Sequence, residues 1–213
     1  AAGGPPHTPP PPRPPPVPPP APPPAGGPPP PHGYPDLGPD PVTGVRVLAV
    51  PAVPTAVIRA VGVPMATIGR FFDSAFGTAF PALFAAGVIP AGPAFALYTR
   101  TSEEPEFTAD LEVGFPLARP LAELHTGEPI ESGGMRIVGS ELPGGEVAVT
   151  SHLGAYDELG QAWGGFMGEI GAMGRAPGSP FWESYVTEPS PDLDPATLRT
   201  DLFCMVRTPD DAA

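Results

Sequence analysis

A chain of 213 residues has room for one ordinary domain and a tail, and its 23 acidic against 10 basic side chains leave a net charge of −13. All the basic residues are arginines, and so carboxylate-rich a surface repels a phosphate backbone: direct nucleic-acid binding is not expected, and cationic ligands are the natural partners. The lone Cys204 excludes an internal disulfide and suits a reducing cytoplasm, while no run approaches the roughly 18 consecutive apolar residues of a membrane helix.

More than half of the 39 prolines precede Val42. Such a segment lacks backbone donors and apolar surface, so residues 1–42 are expected to form a disordered, polyproline-leaning arm. Its role is either that of a solubilising tail or that of a ligand for a partner protein that binds polyproline segments. Folding is expected over residues 43–207, with 208–213 as a C-terminal tail.

The apolar, β-branched residues 45–50 and 55–61 read as strands interrupted by Pro51 and Pro54. Apolar residues then recur at three and four positions between 65 and 86, which predicts a helix containing Pro81 and stopped by Gly87. Residues 94–100 and 108–115 suggest a hairpin. The order then recurs: 135–142 and 146–151 flank the turn Pro143-Gly144-Gly145, a helix over 156–173 stops at Gly174, and 181–187 and 198–206 read as strands.

The two halves can be overlaid. Gly62 and Gly154 lie 92 residues apart, whereas the helix stops Gly87 and Gly174 lie 87 apart, as do Tyr98 and Tyr185. A longer first helix absorbs the difference. The reading is an α+β fold: a duplicated βαββ, SH2-like unit (about 45–118 and 133–206) with pseudo-two-fold symmetry, its antiparallel sheets and two long helices surrounding a central pocket.

Alternation along the equivalent strands puts Phe95, Leu97 and Thr99 on one face with Trp182, Ser184 and Val186. The other face carries Ala94, Ala96 and Tyr98 with Phe181, Glu183 and Tyr185. The more apolar pair, Phe95 and Leu97, is assigned to the helix side, leaving Tyr98, Glu183 and Tyr185 to line a cleft in which Ala96 leaves space. A carboxylate among aromatic rings suits a hydrophobic, cationic aromatic ligand, each ring contributing about 0.5–2 kcal/mol. Burial there is expected to raise the Glu183 pKa. The alternative leaves Glu183 pointing to solvent. Tyr156 either roofs the cleft or packs on the sheet; Trp163, aligned with Leu159, Phe166 and Ile170, is assigned to the core. Asp110 and Glu112 are expected to face solvent. The histidines are scattered, and no phosphate-binding loop or dinucleotide fingerprint occurs, so neither a metal nor a cofactor is expected.

The runs Gly92-Pro93-Ala94-Phe95-Ala96-Leu97-Tyr98, Asp110-Leu111-Glu112-Val113-Gly114-Phe115-Pro116, Leu142-Pro143-Gly144-Gly145, His152-Leu153-Gly154-Ala155-Tyr156-Asp157-Glu158-Leu159, Trp182-Glu183-Ser184-Tyr185 and Arg199-Thr200-Asp201-Leu202 together resemble the GyrI-like, AraC effector-binding family. The resemblance implies the duplicated fold and a central pocket for drug-like cations, with Glu183 as its buried glutamate and Tyr185 beside it. Tyr156 matches the tyrosine of the family's Gly-Pro-Tyr turn, with Ala155 in place of the proline. Many members are the sensing half of a transcription regulator; here a proline-rich arm stands where a helix-turn-helix is expected. The ligand-binding set is therefore Glu183, Tyr185, Tyr98, Phe181, Tyr156 and Ala96, in a stand-alone cytoplasmic sensor or sequestering module for hydrophobic cations. The alternative, also implied by the resemblance, is a hydrolase of cyclopropanoid alkylating compounds in which Glu183 is the catalytic general base.

Overall fold

The computed structural model describes residues 37–127, 129–187 and 192–207. The expected disordered arm, up to residue 36, and the tail 208–213 lie outside the described residues. Among those described, the strands are β1 Arg46–Val50, β2 Val53–Pro64, β3 Phe95–Ser102, β4 Thr108–Pro116, β5 Ile130–Ser132, β6 Met135–Leu142, β7 Gly145–Leu153, β8 Ala176–Tyr185 and β9 Arg199–Arg207. They form one sheet in the order β1-β7-β9-β8-β3-β4-β2-β6-β5, antiparallel at every pairing. Helix α1 covers Ile68–Ala85, α2 Leu121–Leu124 and α3 Leu159–Ala172; α1 and α3 are each entered through a 3-10 turn, Met65–Thr67 and Tyr156–Glu158.

Strand β8 starts at Ala176, five residues earlier than its apolar pattern implies, and contains Pro177 and Pro180. The ladder to β9 is irregular between Pro177 and Phe181, and at such an irregularity a missing N–H removes no ladder bond. The short α2 and β5 have too few residues to show a period.

A two-residue link, Pro143 and Gly144, joins β6 to β7, although these strands lie near opposite ends of the sheet. Only a strongly folded sheet brings its two wings that close. The inner face of the fold holds Val53 and Val57 of β2, Phe95 and Leu97 of β3, Val147 and Val149 of β7, Trp182 of β8 and Phe203 of β9 in one cluster. Trp182 and Phe203 stack there, 5.0 Å apart and 2° from parallel.

This arrangement corrects the face assignment. Phe95, Leu97 and Trp182 pack against other strands, and the helices cover the face that carries Ala96, Tyr98, Phe181 and Tyr185. Ala75, Ala79 and Leu83 of α1 lie on Ala56, Ala96, Leu111 and Val113, while Leu159, Phe166 and Ile170 of α3 lie on Ala148, Leu202 and Cys204. Both faces are buried, so apolar character does not identify the helix side; on β2 and β3 that side carries Ala56 and Ala96, which let α1 approach closely.

The segment leading into β1 is fastened to the strand face. The Arg199 guanidinium forms a two-point ion pair with Asp201, at 2.8 and 2.9 Å, and donates to the carbonyls of Gly38 and Pro39. Ser151 donates to Asp201 and accepts from the Val42 amide. The Arg199 and Asp201 side chains are only 7% and 6% exposed, so removal of one partner strands a buried charge. Asp201→Asn is expected to cost about 3–5 kcal/mol in urea unfolding; a loss below about 1 kcal/mol contradicts that account.

Candidate functional site

A cavity of about 1200 Å³ opens on the helix face, between α1 and α3. One side is a stripe of α1, with Ile68, Phe72, Phe76 and Phe80 recurring at the spacing of one helical face. The other side comes from the turn into α3 and its first half: Tyr156, Leu159, Trp163 and Met167. The floor comprises Tyr98 of β3 with Phe181, Glu183 and Tyr185 of β8. Gly154, at φ 151°, allows the chain to leave β7 and start that turn; a side chain there would run into Glu158 and His152.

Glu183 is 4% exposed, and three donors satisfy its carboxylate. The Trp163 indole N–H donates to Oε1 at 2.7 Å. The Tyr185 and Tyr98 hydroxyls donate to Oε2 at 2.6 and 3.4 Å. Burial lifts the Glu183 carboxyl above its ordinary range, partly offset by the hydrogen bonds from Tyr185, Trp163 and Tyr98 and by the proximity of His152. The same burial, together with the Glu183 charge, pushes the hydroxyls of Tyr98, Tyr185 and Tyr156 upward, so all three stay protonated donors at neutral pH.

The rings around the carboxylate hold one another in place. Phe181 stacks on Tyr98 at 5.1 Å and meets Trp163 edge-on at 4.9 Å. Tyr185 is touched from above by Phe72, Phe76 and Tyr156, at 6.2, 5.8 and 5.7 Å. Such tilted and edge-on contacts present both ring faces and ring edges to an occupant.

Of the residues singled out in the sequence, Glu183, Tyr185, Tyr98, Phe181 and Tyr156 meet in this cavity. Ala96 does not line it. Fully buried, it is the cross-strand partner of Glu183 and lies beneath α1, because the helix covers this face of β3. Glu112 is not simply solvated: it accepts from Arg59 and Ser140.

Trp163 was assigned to the core. It does pack on Phe166, yet its indole N–H is the direct partner of Glu183. The available signal was its spacing of seven residues, two helical turns, from Tyr156. Phe72, Phe76 and Phe80, which belong to the apolar spacing that predicts α1, line the cavity as well. Two further carboxylates, Asp73 and Asp157, line the cavity, and among the described residues no basic residue does. Among the described residues no His, Cys, Asp and Glu group has the makings of a metal site, and no helix is long and apolar enough to cross a membrane.

Comparison with known proteins agrees with this architecture. The crystal structure of the EcmrR C-terminal domain is 17% identical, with a TM-score of 0.60, and the match covers 77% of this chain and 97% of that one. Of the longer EcmrR chain in its DNA complex, this chain spans 57%, at 18% identity and a TM-score of 0.60. SAV2435 bound to tetraphenylphosphonium matches over 80% of this chain and 98% of that one, at 10% identity and a TM-score of 0.56. At such identities the likeness establishes the fold. No curated protein matches in sequence. The family model of the GyrI-like small molecule binding domain matches residues 43–207, and the chain therefore belongs to the GyrI-like family of small-molecule-binding domains.

Proposed function

We propose that this domain captures hydrophobic cations, as a sensor or sequestering module, in the cavity between α1 and α3 with Glu183 as the counter-charge. The observation that carries this reading is a buried carboxylate set in an aromatic cavity whose lining, among the described residues, offers no basic group. An apolar cation replaces water with ring faces, gains about 0.5–2 kcal/mol from each cation–π contact, and meets a negative charge that three donors already hold in place. The tetraphenylphosphonium bound by the similarly folded SAV2435 is a ligand of this chemistry. The domain is taken to span residues 43–207, as a duplicated βαββ unit about a pseudo-dyad. Support for the duplication comes from the β3–β8 register: it pairs Ala96 with Glu183, the same two residues that the 87-residue offset between Tyr98 and Tyr185 equates. A strand pair that is self-equivalent in this way lies on the axis, so Glu183 takes a central position from which Tyr98 and Tyr185 are equivalent.

Hydrolysis of strained alkylating compounds by Glu183 draws less support. Both carboxylate oxygens already accept hydrogen bonds, which occupy acceptor positions that an attacking water would need.

Calorimetric titration of the full chain with tetraphenylphosphonium is expected to show binding that Glu183→Gln weakens at least about tenfold, or 1.4 kcal/mol. Equal affinity in the variant, or no binding by the wild type, removes the reading. A pH series supplies a second prediction. Below the raised Glu183 pKa the empty site holds a proton that a cation must displace, so affinity should climb by up to about tenfold per pH unit as the carboxyl ionises and then level off. In the empty protein the sign is opposite: the stability present below the ordinary carboxylate range is lost as pH rises through the elevated pKa. Glu183→Gln should flatten both profiles, and an unchanged slope in the variant contradicts the assignment.

A further inference from the structure

We infer that the preferred ligand is an elongated dication, one charge at Glu183 and a second held in water at the cavity mouth by Asp73 and Asp157. This rests on the reading of the cavity as a site for hydrophobic cations. Three observations lead to it.

The first is shape. The α1 stripe from Ile68 to Phe80 lines the cavity over roughly 18 Å, at 1.5 Å of rise per residue. The volume of about 1200 Å³ exceeds the roughly 300–1,000 Å³ of ordinary small-molecule sites. A compact monocation leaves much of that length unfilled.

The second is the placement of charge. Asp73 follows Phe72 on α1, and Asp157 follows Tyr156 at the turn into α3. Phe72 and Tyr156 both touch the Tyr185 ring, at 6.2 and 5.7 Å, and the Tyr185 hydroxyl binds Glu183. The two carboxylates therefore belong to the two walls of the cavity, Asp73 to α1 and Asp157 to the turn into α3. Both are exposed and both line the cavity.

The third is that neither carboxylate is compensated. Among the described residues, neither Asp73 nor Asp157 takes part in an ion pair or accepts a hydrogen bond from another side chain, and no basic residue lines the cavity. A monocation at Glu183 neutralises one charge and leaves the other two cavity carboxylates without a counter-charge. A second cationic head, carried on an apolar spacer along the α1 stripe, answers both. It remains hydrated, so its burial costs little, and its gain is that of a screened surface pair.

The test compares decamethylene bispyridinium, with two cationic heads, and decylpyridinium, with one, by calorimetry on the full chain. The dication is expected to bind about tenfold more tightly, the combined worth of two surface pairs and well beyond the about twofold that two equal heads give statistically. The double substitution Asp73→Asn with Asp157→Asn should reduce that preference to about twofold, and added salt should also lower it. Glu141→Gln, which removes an exposed carboxylate away from the cavity, should leave the preference intact. Equal affinity for the two cations after the statistical correction, or a preference that survives the double substitution, overturns the inference. Glu183-dependent binding of decylpyridinium with no preference for the dication defeats this inference alone. Failure of both cations to bind defeats it together with the reading of the cavity.

Discussion

A carboxylate taken out of water keeps its charge only if the protein supplies donors in place of the solvent. Glu183 has three, from three elements: Tyr98 on β3, Tyr185 on its own strand and Trp163 on α3. Much of the cavity's construction follows from that requirement. It joins β3 to β8 by side chains as well as by backbone, at the middle of the sheet, and sets how closely α3 approaches. The donors are themselves aromatic, so the groups that satisfy the charge also form the apolar surface around it. A cation arriving there meets an oriented acceptor and need not reorganise the site.

The periodic elements of the chain were legible. Strand β6 and the start of β4 fall where alternation placed them, and α1 and α3 end before Gly87 and Gly174 as their apolar spacing implies. Glu183, Tyr98, Tyr185, Phe181 and Tyr156 were recoverable from the offset between the halves together with the family resemblance. What escaped were features with no local signature. The union of all strands in a single folded sheet depends on Pro143 and Gly144 bringing distant wings together, which no short window of sequence records.

The error over faces has a specific cause. Phe95 and Leu97 are the more apolar pair on their strand, and apolar character suggested the side beneath a helix. In this fold the opposite face is covered by strands and by the segment around Val42, so large residues fill the space between wings, and alanines on β2 and β3 admit α1. Trp163 escaped for a related reason. On a helix its spacing matches buried neighbours, and only the three-dimensional position of Glu183 reveals that its N–H has a polar partner.

The sheet separates two kinds of residue by side. Phe95, Trp182, Phe203 and their neighbours fill the strand face and are almost wholly buried, while the cavity rings Phe72, Phe76, Tyr156 and Tyr185 on the helix face are only partly buried or exposed. Substituting a half-exposed ring forfeits far less packing than substituting a buried one. Ligand preference can therefore drift over evolutionary time through these cavity rings while folding stability stays with the fully buried residues of both faces, so that a lineage can acquire new recognition without passing through unstable intermediates.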